Sequence, residues 1–346
     1  MQGPGSPRIT MAEVARRAGV SPMTVSYCYN QPERVAPDTL RRVREVAAEL
    51  GYRGPDPTAR SLRRRHNDAI GVVLGEHLVY AFEDPQARRF LAGVAEVCRE
   101  RRTGLNLIPT TGADDDVERV RSASVDGYIV WTTVDSDPVL DVLSGLGKPV
   151  AIHGGPAVRG AQVISIDNRA SARELTEHTV RGARRPAVLS FPFDRARRPR
   201  LEIGPDPERI AFPVTRERLL GIYDHFSEAG LDPARLPVAV AAHNDRATAA
   251  ATVRELFDTC NPDAVIAMND QLAFAVLDAA RSRGLAVPDE LAVAGWDDGP
   301  DASGAGLTTV AQSLFDQGRA CALVAVGDRG PAAAATWRTV VRSTTR

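Results

Sequence analysis

The stretch TMAEVARRAGVSPMTVSYCYN, residues 10–30, decides how the chain begins to fold. Thr10 and Glu13 have the capping-box spacing that starts a helix, in which the Thr10 hydroxyl is expected to accept from the Glu13 amide and Glu13 to reach back to Thr10. Gly19 can adopt the positive φ that ends this helix. Ser21 and Pro22 then supply an N-cap and a first-turn proline for a second helix. The stretch therefore predicts two short helices joined by a tight turn.

A third helix is predicted over residues 37–50, where leucine and valine recur at helical spacing before Gly51. Two helices joined by a glycine turn and supported by a third place the second helix in the major groove of DNA. The residues expected to face base edges are Pro22, Met23, Thr24 and Tyr27. Those expected on the phosphate side are Ser21, Thr24, Ser26 and Asn30, with Thr10 at the start of the first helix. The alternative is a three-helix bundle with no role in DNA binding.

The charge distribution agrees with a nucleic-acid partner for this head. The whole chain of 346 residues has a formal net charge of −1. Residues 1–65 contain 12 arginines and 6 acidic residues, a net charge of +6, so the remainder carries −7. A basic head on an acidic body is expected when a DNA-binding module is joined to a domain of another kind.

The length fits two or three folding units. The cysteines are widely separated and have no metal-ligand spacing, so we expect reduced, buried thiols and neither a disulfide framework nor a zinc site. They are Cys28, Cys98, Cys260 and Cys321. The first ten residues lack the apolar segment of a signal peptide, and no window approaches a membrane span. We therefore expect a soluble cytoplasmic protein with no cofactor, no metal and no membrane partner.

From residue 69 the pattern changes to short apolar runs that alternate with amphipathic helical stretches. Such repetition predicts parallel sheets covered on both faces by helices. The alternation begins again near residue 186, so we expect two lobes with a ligand cleft where their strand ends face one another. The predicted strands are 69–74, 105–108, 126–131, 149–152, 162–166, 186–190, 264–268 and 291–295, and the predicted helices include 86–101 and 170–181.

Several of these segments resemble a known family. Residues 12–30 are similar to the opening of the lactose-repressor (LacI) family, and residues 57–62 resemble its hinge helix. The resemblance covers nearly the whole chain, because residues 295–298 and 307–312 resemble the family's aromatic-Asp-Asp strand end and its crossover between lobes. Residues 340–343 match its terminal strand. The resemblance implies an all-α helix-turn-helix head plus an α/β periplasmic-binding-protein-like body of two parallel-sheet lobes.

The resemblance also implies where the domains divide. The expected units are a helix-turn-helix domain over 8–54, a hinge helix and linker over 55–67, and a ligand-binding domain over 68–346. The two lobes of that last domain are expected at about 69–186 plus 313–330, and at 187–312 plus 331–346.

In the family, the hinge helix orders in pairs on DNA and its leucine enters the minor groove at the operator centre. By this resemblance Leu62 is the inserted residue, Ala59 lies beside it, and Arg63 lies next to phosphates. The alternative for Leu62 is a linker residue that docks on the body. The family often has an arginine at the position of Tyr27, and tyrosine cannot make the same bidentate bond to guanine. This departure bears on the operator sequence and leaves the docking mode unchanged.

The resemblance supplies a set of cleft residues as well. Arg218 matches a ligand-clamping arginine, and Asn269, Asp297 and Gln312 match polar contacts. An arginine with amides and a carboxylate suits the vicinal hydroxyls of a polyol. Asp270 is expected either to cap the following helix or to contact the ligand.

Aromatic contacts to the ligand are less determined by the sequence. Trp296 or Trp131 is expected either to stack on a sugar face or to belong to the core. Residues 84–86 depart from the family because they lack its usual aromatic residue, and Tyr80 or Phe82 could replace that wall.

Together these patterns predict a DNA-binding transcription regulator, and by resemblance a repressor. The expected partners are double-stranded, near-palindromic operator DNA, a second copy of the chain, and a small sugar-like effector that acts as inducer or as corepressor. The main alternative is a cytoplasmic sugar-binding sensor without a specific operator. An exported solute-binding protein would share the body but needs no DNA-binding head.

An enzyme is not expected. The sequence lacks a nucleophile elbow, an H-E-x-x-H segment, a phosphate-binding loop and a dinucleotide-binding glycine pattern. The six histidines, His153 among them, are dispersed, and we interpret each as a surface residue or as a histidine with its hydrogen bonds satisfied.

Overall fold

The computed structural model describes residues 9–54, 66–75, 78–328 and 335–346. It divides into two compact units, a head that ends at Asn67 and a body that begins at Asp68. The predicted hinge residues Ala59, Leu62 and Arg63 lie outside the described residues, as does the side chain of Tyr80.

The head contains the three predicted helices, which are α1 (Met11–Ala18), α2 (Pro22–Asn30) and α3 (Pro37–Glu49). The Glu13 amide donates to Thr10 Oγ1 at 3.3 Å. The prediction that Glu13 reaches back to Thr10 is wrong, because the Glu13 carboxylate pairs with Arg16 at 3.4 Å instead. Gly19 has φ +66°, which ends α1 as predicted. The small core that holds the helices together comprises Val14, Ala15, Ala18, Val25, Cys28, Val43 and Ala47.

The first sheet of the body has five parallel strands in the order β2-β1-β3-β4-β5. Its strands are β1 (Ala69–Leu74), β2 (Gly104–Pro109), β3 (Gly127–Trp131), β4 (Val150–His153) and β5 (Ala161–Ile164). The helices that accompany it are α4 (Tyr80–Glu83), α5 (Pro85–Arg101), α6 (Asp116–Arg121) and α7 (Pro138–Gly145). We call this sheet, with its helices, the first lobe.

The second sheet has the order β10-β9-β6-β8-β7. Its strands are β6 (Pro186–Ser190), β7 (Arg200–Ile203), β8 (Pro237–Val240), β9 (Ala264–Ala267) and β10 (Ala292–Ala294). The expectation of purely parallel sheets is wrong at one edge, because β7 runs antiparallel to β8. The helices of this second lobe are α8 (Asn168–Thr179), α9 (Pro213–Glu228), α10 (Ala249–Cys260) and α11 (Asp270–Arg283).

The position of α8 corrects the expected lobe boundary near residue 186. Ala172 and Leu175 of α8 pack in the same buried cluster as Leu219 and Ile222 of α9, which belongs to the second lobe. The first passage between the lobes therefore precedes α8. The chain follows the strand-helix alternation through this helix, so the apolar pattern alone could not show which sheet the helix covers.

The chain returns to the first lobe through β11 (Thr309–Gln312) and α12 (Leu314–Ala325). The last strand, β12 (Trp337–Val340), pairs antiparallel with β11. The predicted terminal strand over 340–343 is therefore shifted towards the C-terminus relative to the observed one. Arg342 explains why the strand has ended, since its amide donates to the Thr308 hydroxyl at 2.9 Å.

Helices α5 and α12 approach closely because each presents a glycine to the backbone of the other. A Cβ atom on Gly93 would lie 2.0 Å from the carbonyl oxygen of Phe315, and one on Gly318 would lie 2.1 Å from that of Phe90. Heavy atoms do not approach so closely without displacement of one helix. This contact fastens α12, and with it the returning chain, to the first lobe.

We predict that Gly93→Ala lowers the free energy of unfolding by about 1–3 kcal/mol, because the added methyl group forces the helices apart. Gly145→Ala is the matched control, since no atom lies within 4 Å of the position of its Cβ. Urea unfolding of both variants measures the difference. Equal stability of the two variants would show that the contact between α5 and α12 is not close.

Candidate functional site

A cavity of about 110 Å³ lies in the body at the carboxyl ends of strands from both sheets. One buried water molecule needs roughly 10–15 Å³ of cavity volume measured in the same way, so this cavity has room for a small organic molecule. Carboxyl ends of parallel strands are where open α/β sheets bind ligands. Its polar lining residues are Asp84, Gln86, Thr132, His153, Ser165, Asn168, Arg197, Thr215, Arg218, Asn244, Asn269, Asp297, Gln312 and Gln317.

Arg218 projects from α9 and is fixed by three different partners. Its Nε donates to Asn168 Oδ1 at 2.9 Å, and its Nη1 donates to the carbonyl oxygen of Met268. The centre of the guanidinium lies 3.9 Å from the centroid of the Trp296 ring. Burial lowers the pKa of Arg218 to about 10, which still leaves it charged at neutral pH. The result is a rigid cation at the cavity wall.

Asp297 follows β10 in a backbone conformation with φ +105°, which is uncommon for a residue other than glycine. Its amide donates to the Val310 carbonyl at 2.8 Å, and its Oδ1 accepts from Gln312 Nε2 at 2.7 Å. Because the carboxyl faces the cavity and is surrounded by protein, desolvation raises the pKa of Asp297 to about 8, although the charge of Arg218 opposes the shift.

Two aromatic rings form part of the first-lobe wall. The imidazole of His153, at the end of β4, stacks on Trp131 at the end of β3, with centroids 4.7 Å apart and an interplanar angle of 6°. Burial lowers the pKa of His153 to about 4, so the ring is neutral at neutral pH. The neutral imidazole can offer one donor and one acceptor.

The structure brings four of the predicted ligand residues together, because Arg218, Asn269, Asp297 and Gln312 all line the cavity. Trp296 does not line it; only 1% of this residue is exposed, and its ring lies against Arg218. The expectation that Trp296 contacts a ligand is therefore wrong, since it supports the arginine instead. Trp131 is the tryptophan that lines the cavity.

Of the two aromatic replacements expected near residue 84, only Phe82 has a described side chain. Phe82 is 60% exposed and is not among the lining residues, so the expectation for Phe82 is wrong. Asp84 and Gln86 line the cavity directly, and Asp84 caps α5 by accepting from the amides of Gln86 and Ala87. The wall at this position is polar.

Asn269, and not Asp270, caps the helix that follows them. Asn269 Oδ1 caps α11 by accepting from the Leu272 amide at 2.7 Å. Asp270 accepts from the Gly299 amide and from the Thr309 hydroxyl, both at 2.7 Å. Asp270 thus joins the loop after β10 to β11, and it is neither the helix cap nor a lining residue.

Sequence reasoning missed His153, Gln317 and Asn168. His153 is 9% exposed and its Nδ1 has no hydrogen-bond partner among the described residues, so its interpretation as a surface or satisfied histidine is wrong. Its position at the carboxyl end of a predicted strand was the available signal. Asn168 and Gln317 give no local signal, because they reach the cavity only through the packing of α8 and α12.

Ion pairs join the two lobes. Arg195 of the second lobe bonds the buried carboxylate of Asp137 and the hydroxyl of Thr133, both in the first lobe. Arg216 of α9 pairs with Asp135, again across the lobes. These bonds link the lobes through residues that do not themselves line the cavity.

In the head, the predicted contact residues surround the start and one face of α2. Met23 is 63% exposed, Pro22 and Asn30 are exposed, and Tyr27 is half-buried. Ser21 Oγ caps the helix by accepting from the Thr24 amide at 3.0 Å, and Asn30 donates to Ser26 Oγ at 3.2 Å. The exposed positive end of a helix is suited to phosphate oxygens.

The four cysteines are all free, and Cys260 is half-buried where full burial was expected. Within the described ranges, no group of three or more histidine, cysteine or acidic side chains could hold a metal ion. No helix in the same ranges is both long and apolar enough to span a membrane.

Two family models match the chain. Residues 10–54 match the model described as bacterial regulatory proteins, lacI family, and residues 179–345 match a periplasmic binding protein-like domain. An HTH-type transcriptional regulator of Mycolicibacterium smegmatis is 39% identical over 327 residues, which is 90% of this chain and 88% of that protein.

Solved structures agree with these matches. A LacI-family transcriptional regulator from Corynebacterium glutamicum superposes with a TM-score of 0.72 at 30% identity, covering 97% of this chain and 98% of that one. The complex of the regulator CelR with cellobiose superposes with a TM-score of 0.66 at 26% identity, covering 97% of this chain and 100% of that one.

The fold and the comparisons define a helix-turn-helix regulator with a periplasmic-binding-protein-like body. The chain belongs to the LacI family of bacterial transcription regulators. It is a DNA-binding regulator with an effector-binding body and not an enzyme.

We predict that Arg195→Leu lowers the free energy of unfolding by about 1–3 kcal/mol, because it leaves the buried Asp137 carboxylate without its cationic partner. Arg173→Leu is the control, since the Arg173–Glu228 pair is about half exposed on both sides. That control should lose less than about 1 kcal/mol. Urea unfolding measures both, and an equal loss would contradict a specific bond between the lobes.

We predict that Asp297→Asn removes a pH dependence of stability. The folded pKa of about 8 lies above that of an unfolded aspartate, so the native protein holds a proton that the unfolded chain releases between about pH 4 and 8. Wild-type stability should therefore fall relative to the variant as pH rises through this window and level off above it. Unfolding curves at pH 5, 6, 7, 8 and 9 measure the difference, and parallel profiles would contradict the raised pKa.

Proposed function

We propose that this protein is a cytoplasmic repressor that binds a near-palindromic double-stranded operator as a homodimer and responds to a small polyhydroxy effector, a sugar or a related polar metabolite. The observation that carries the proposal is the convergence of Arg218, Asp297 and Gln312 on one cavity. A fixed cation, a carboxyl and an amide can hold vicinal hydroxyl groups with matched donors and acceptors. The relative CelR was solved with cellobiose, which supports a sugar as the ligand class.

In the proposed complex, α2 enters the major groove. Pro22, Met23, Thr24 and Tyr27 face base edges, and the exposure of Met23 supports this orientation. Ser21, Ser26 and Asn30 bond phosphates, and Thr10 does so at the start of α1.

The proposed hinge helix and linker span residues 55–67, between a head over 8–54 and a body over 68–346. Leu62 inserts into the minor groove at the operator centre with Ala59 beside it, and Arg63 pairs with phosphates. This arrangement requires two copies of the hinge, which is why the functional unit is a homodimer.

The effector acts by linkage between the cavity and the operator. Because the cavity wall draws residues from both lobes, a bound molecule changes the free energy of one lobe arrangement relative to another. The ion pairs at Asp135 and Asp137 stabilise the lobe arrangement of this structure. The same scaffold serves induction or corepression, according to which arrangement brings the hinges together.

The experiment is a fluorescence-anisotropy titration of the full chain against promoter DNA of its own and neighbouring genes, at two salt concentrations. We predict tight binding to one near-palindromic site, weaker at high salt. Leu62→Ala should weaken it by about tenfold or more, because the inserted side chain is lost. Leu231→Ala, at an exposed position of the body, is the matched control and should bind as the wild type does.

The same titration is repeated with sugars added. A sugar that shifts operator affinity supports the proposal and identifies the effector. Binding no tighter than to random DNA would contradict it and favour the alternative, a sugar-binding sensor without a specific operator.

A further inference from the structure

A chain of side-chain hydrogen bonds runs from the first lobe to the second along the cavity. His153 Nε2 lies 3.1 Å from Gln317 Oε1, Gln317 Nε2 donates to Gln312 Oε1 at 2.9 Å, and Gln312 Nε2 donates to Asp297 Oδ1 at 2.7 Å. The four residues come from β4, α12, β11 and the segment after β10. All four line the cavity.

The direction of this chain is set by the two glutamine amides, each of which has one accepting oxygen and one donating nitrogen. Gln312 Nε2 faces Asp297 Oδ1, which accepts both in the ionised carboxylate and as the carbonyl oxygen of the protonated acid. Gln312 therefore donates to Asp297 and accepts from Gln317, which in turn accepts from His153. His153 must carry its proton on Nε2, which leaves Nδ1 with a lone pair and no proton.

That lone pair has no partner in the part of the chain that the structure describes. His153 Nδ1 and Asn244 Oδ1 are both buried atoms without a hydrogen-bond partner among the described residues, and both residues line the cavity. His153 belongs to the first lobe, while Asn244 follows β8 in the second. Buried acceptors are costly when unmatched, so each is suited to a donor supplied by a ligand.

Two features of the cavity favour a neutral ligand. Arg218 already uses its Nε and Nη1 for bonds to the protein. An added anion would lie against the two unmatched acceptors, whose lone pairs repel it.

We propose that His153 and Asn244 are specificity-determining residues of the cleft, which select a neutral ligand that donates a hydroxyl proton to each lobe, and that Gln317 is the positioning residue that keeps His153 an acceptor. The inference rests on the proposed function in one respect, that the cavity binds a small effector. It goes further by assigning the acceptors and the residue that orients one of them.

The first test needs no ligand. The full chain is labelled with ¹⁵N-histidine and its long-range ¹H–¹⁵N spectrum is recorded at pH 9, where Asp297 is ionised and can only accept. We expect His153, assigned by its loss in His153→Phe, to show a pure Nε2–H tautomer with an unprotonated Nδ1. Gln317→Leu should replace this with averaged shifts of two exchanging tautomers, while the other histidines are unchanged. A proton on His153 Nδ1 in the wild type would overturn the relay.

The second test uses D-ribose, D-glucose and cellobiose, each titrated calorimetrically beside D-ribose 5-phosphate, D-glucose 6-phosphate and D-gluconate as anionic analogues. We expect a neutral sugar to bind at least about tenfold more tightly than its anionic analogue. Loss of a buried hydrogen bond should cost at least about tenfold in affinity, so His153→Phe and Asn244→Leu should each weaken binding of that sugar. Asn244→Asp keeps an acceptor and should retain binding, and His178→Phe is the matched control.

The outcomes separate the two proposals. A neutral sugar that binds equally well to wild type, His153→Phe and Asn244→Leu would overturn the specificity assignment and leave the regulator intact. Tighter binding of a phosphate or carboxylate analogue would also overturn it. If none of the six compounds binds or shifts operator affinity, the proposed sugar effector fails, and the tautomer of His153 still decides the relay.

Discussion

The buried guanidinium of Arg218 is the constraint on which the cleft depends. Moving a cation out of water costs several kcal/mol unless hydrogen bonds and opposite charge offset the loss. Here the offset comes from Asn168, the Met268 carbonyl and the face of Trp296, with Asp297 as the nearby acid. These groups lie at the start of α8, just after β9 and just after β10. One charge thereby fixes the ends of three elements around a single cavity.

The polarity of the cavity follows from that arrangement. Arg218 bonds its supports through Nε and Nη1, and most of the other polar groups that face the cavity are acceptors or amides. The aromatic wall of the cavity is supplied by Trp131 in the first lobe and by Phe191 and Phe212 in the second. A ligand held there touches both lobes at once. In a member of the LacI family, the energy of that contact is the quantity that linkage can transfer to the DNA-binding head.

The sequence predicts those features of the molecule that depend on residues close together along the chain. The caps at Ser21 and Gly19 and the helices of the head were readable because each depends on neighbours along the chain. The alternation of strand and helix predicted the two lobes. The family resemblance predicted four cleft residues, which are Arg218, Asn269, Asp297 and Gln312. The rest depends on packing between distant segments.

Trp296 shows the limit most clearly, since a tryptophan next to Asp297 was a candidate for stacking on a ligand and yet its ring lies against Arg218. His153 is the converse case, a dispersed histidine that β4 delivers to the cavity. The antiparallel edge strand β7 was missed because its four residues, Arg200–Ile203, carry no apolar run. None of these outcomes follows from spacing or composition.

The proposed energetic coupling between the cavity and the operator requires reciprocity of the two binding equilibria. The affinity of the sugar for the protein is measured by calorimetry with and without saturating operator DNA, and the affinity for operator is measured with and without saturating sugar. Linkage predicts that the two ratios are equal and differ from one by about 5–150-fold. A sugar affinity that does not change on addition of operator would show that the two sites are not coupled.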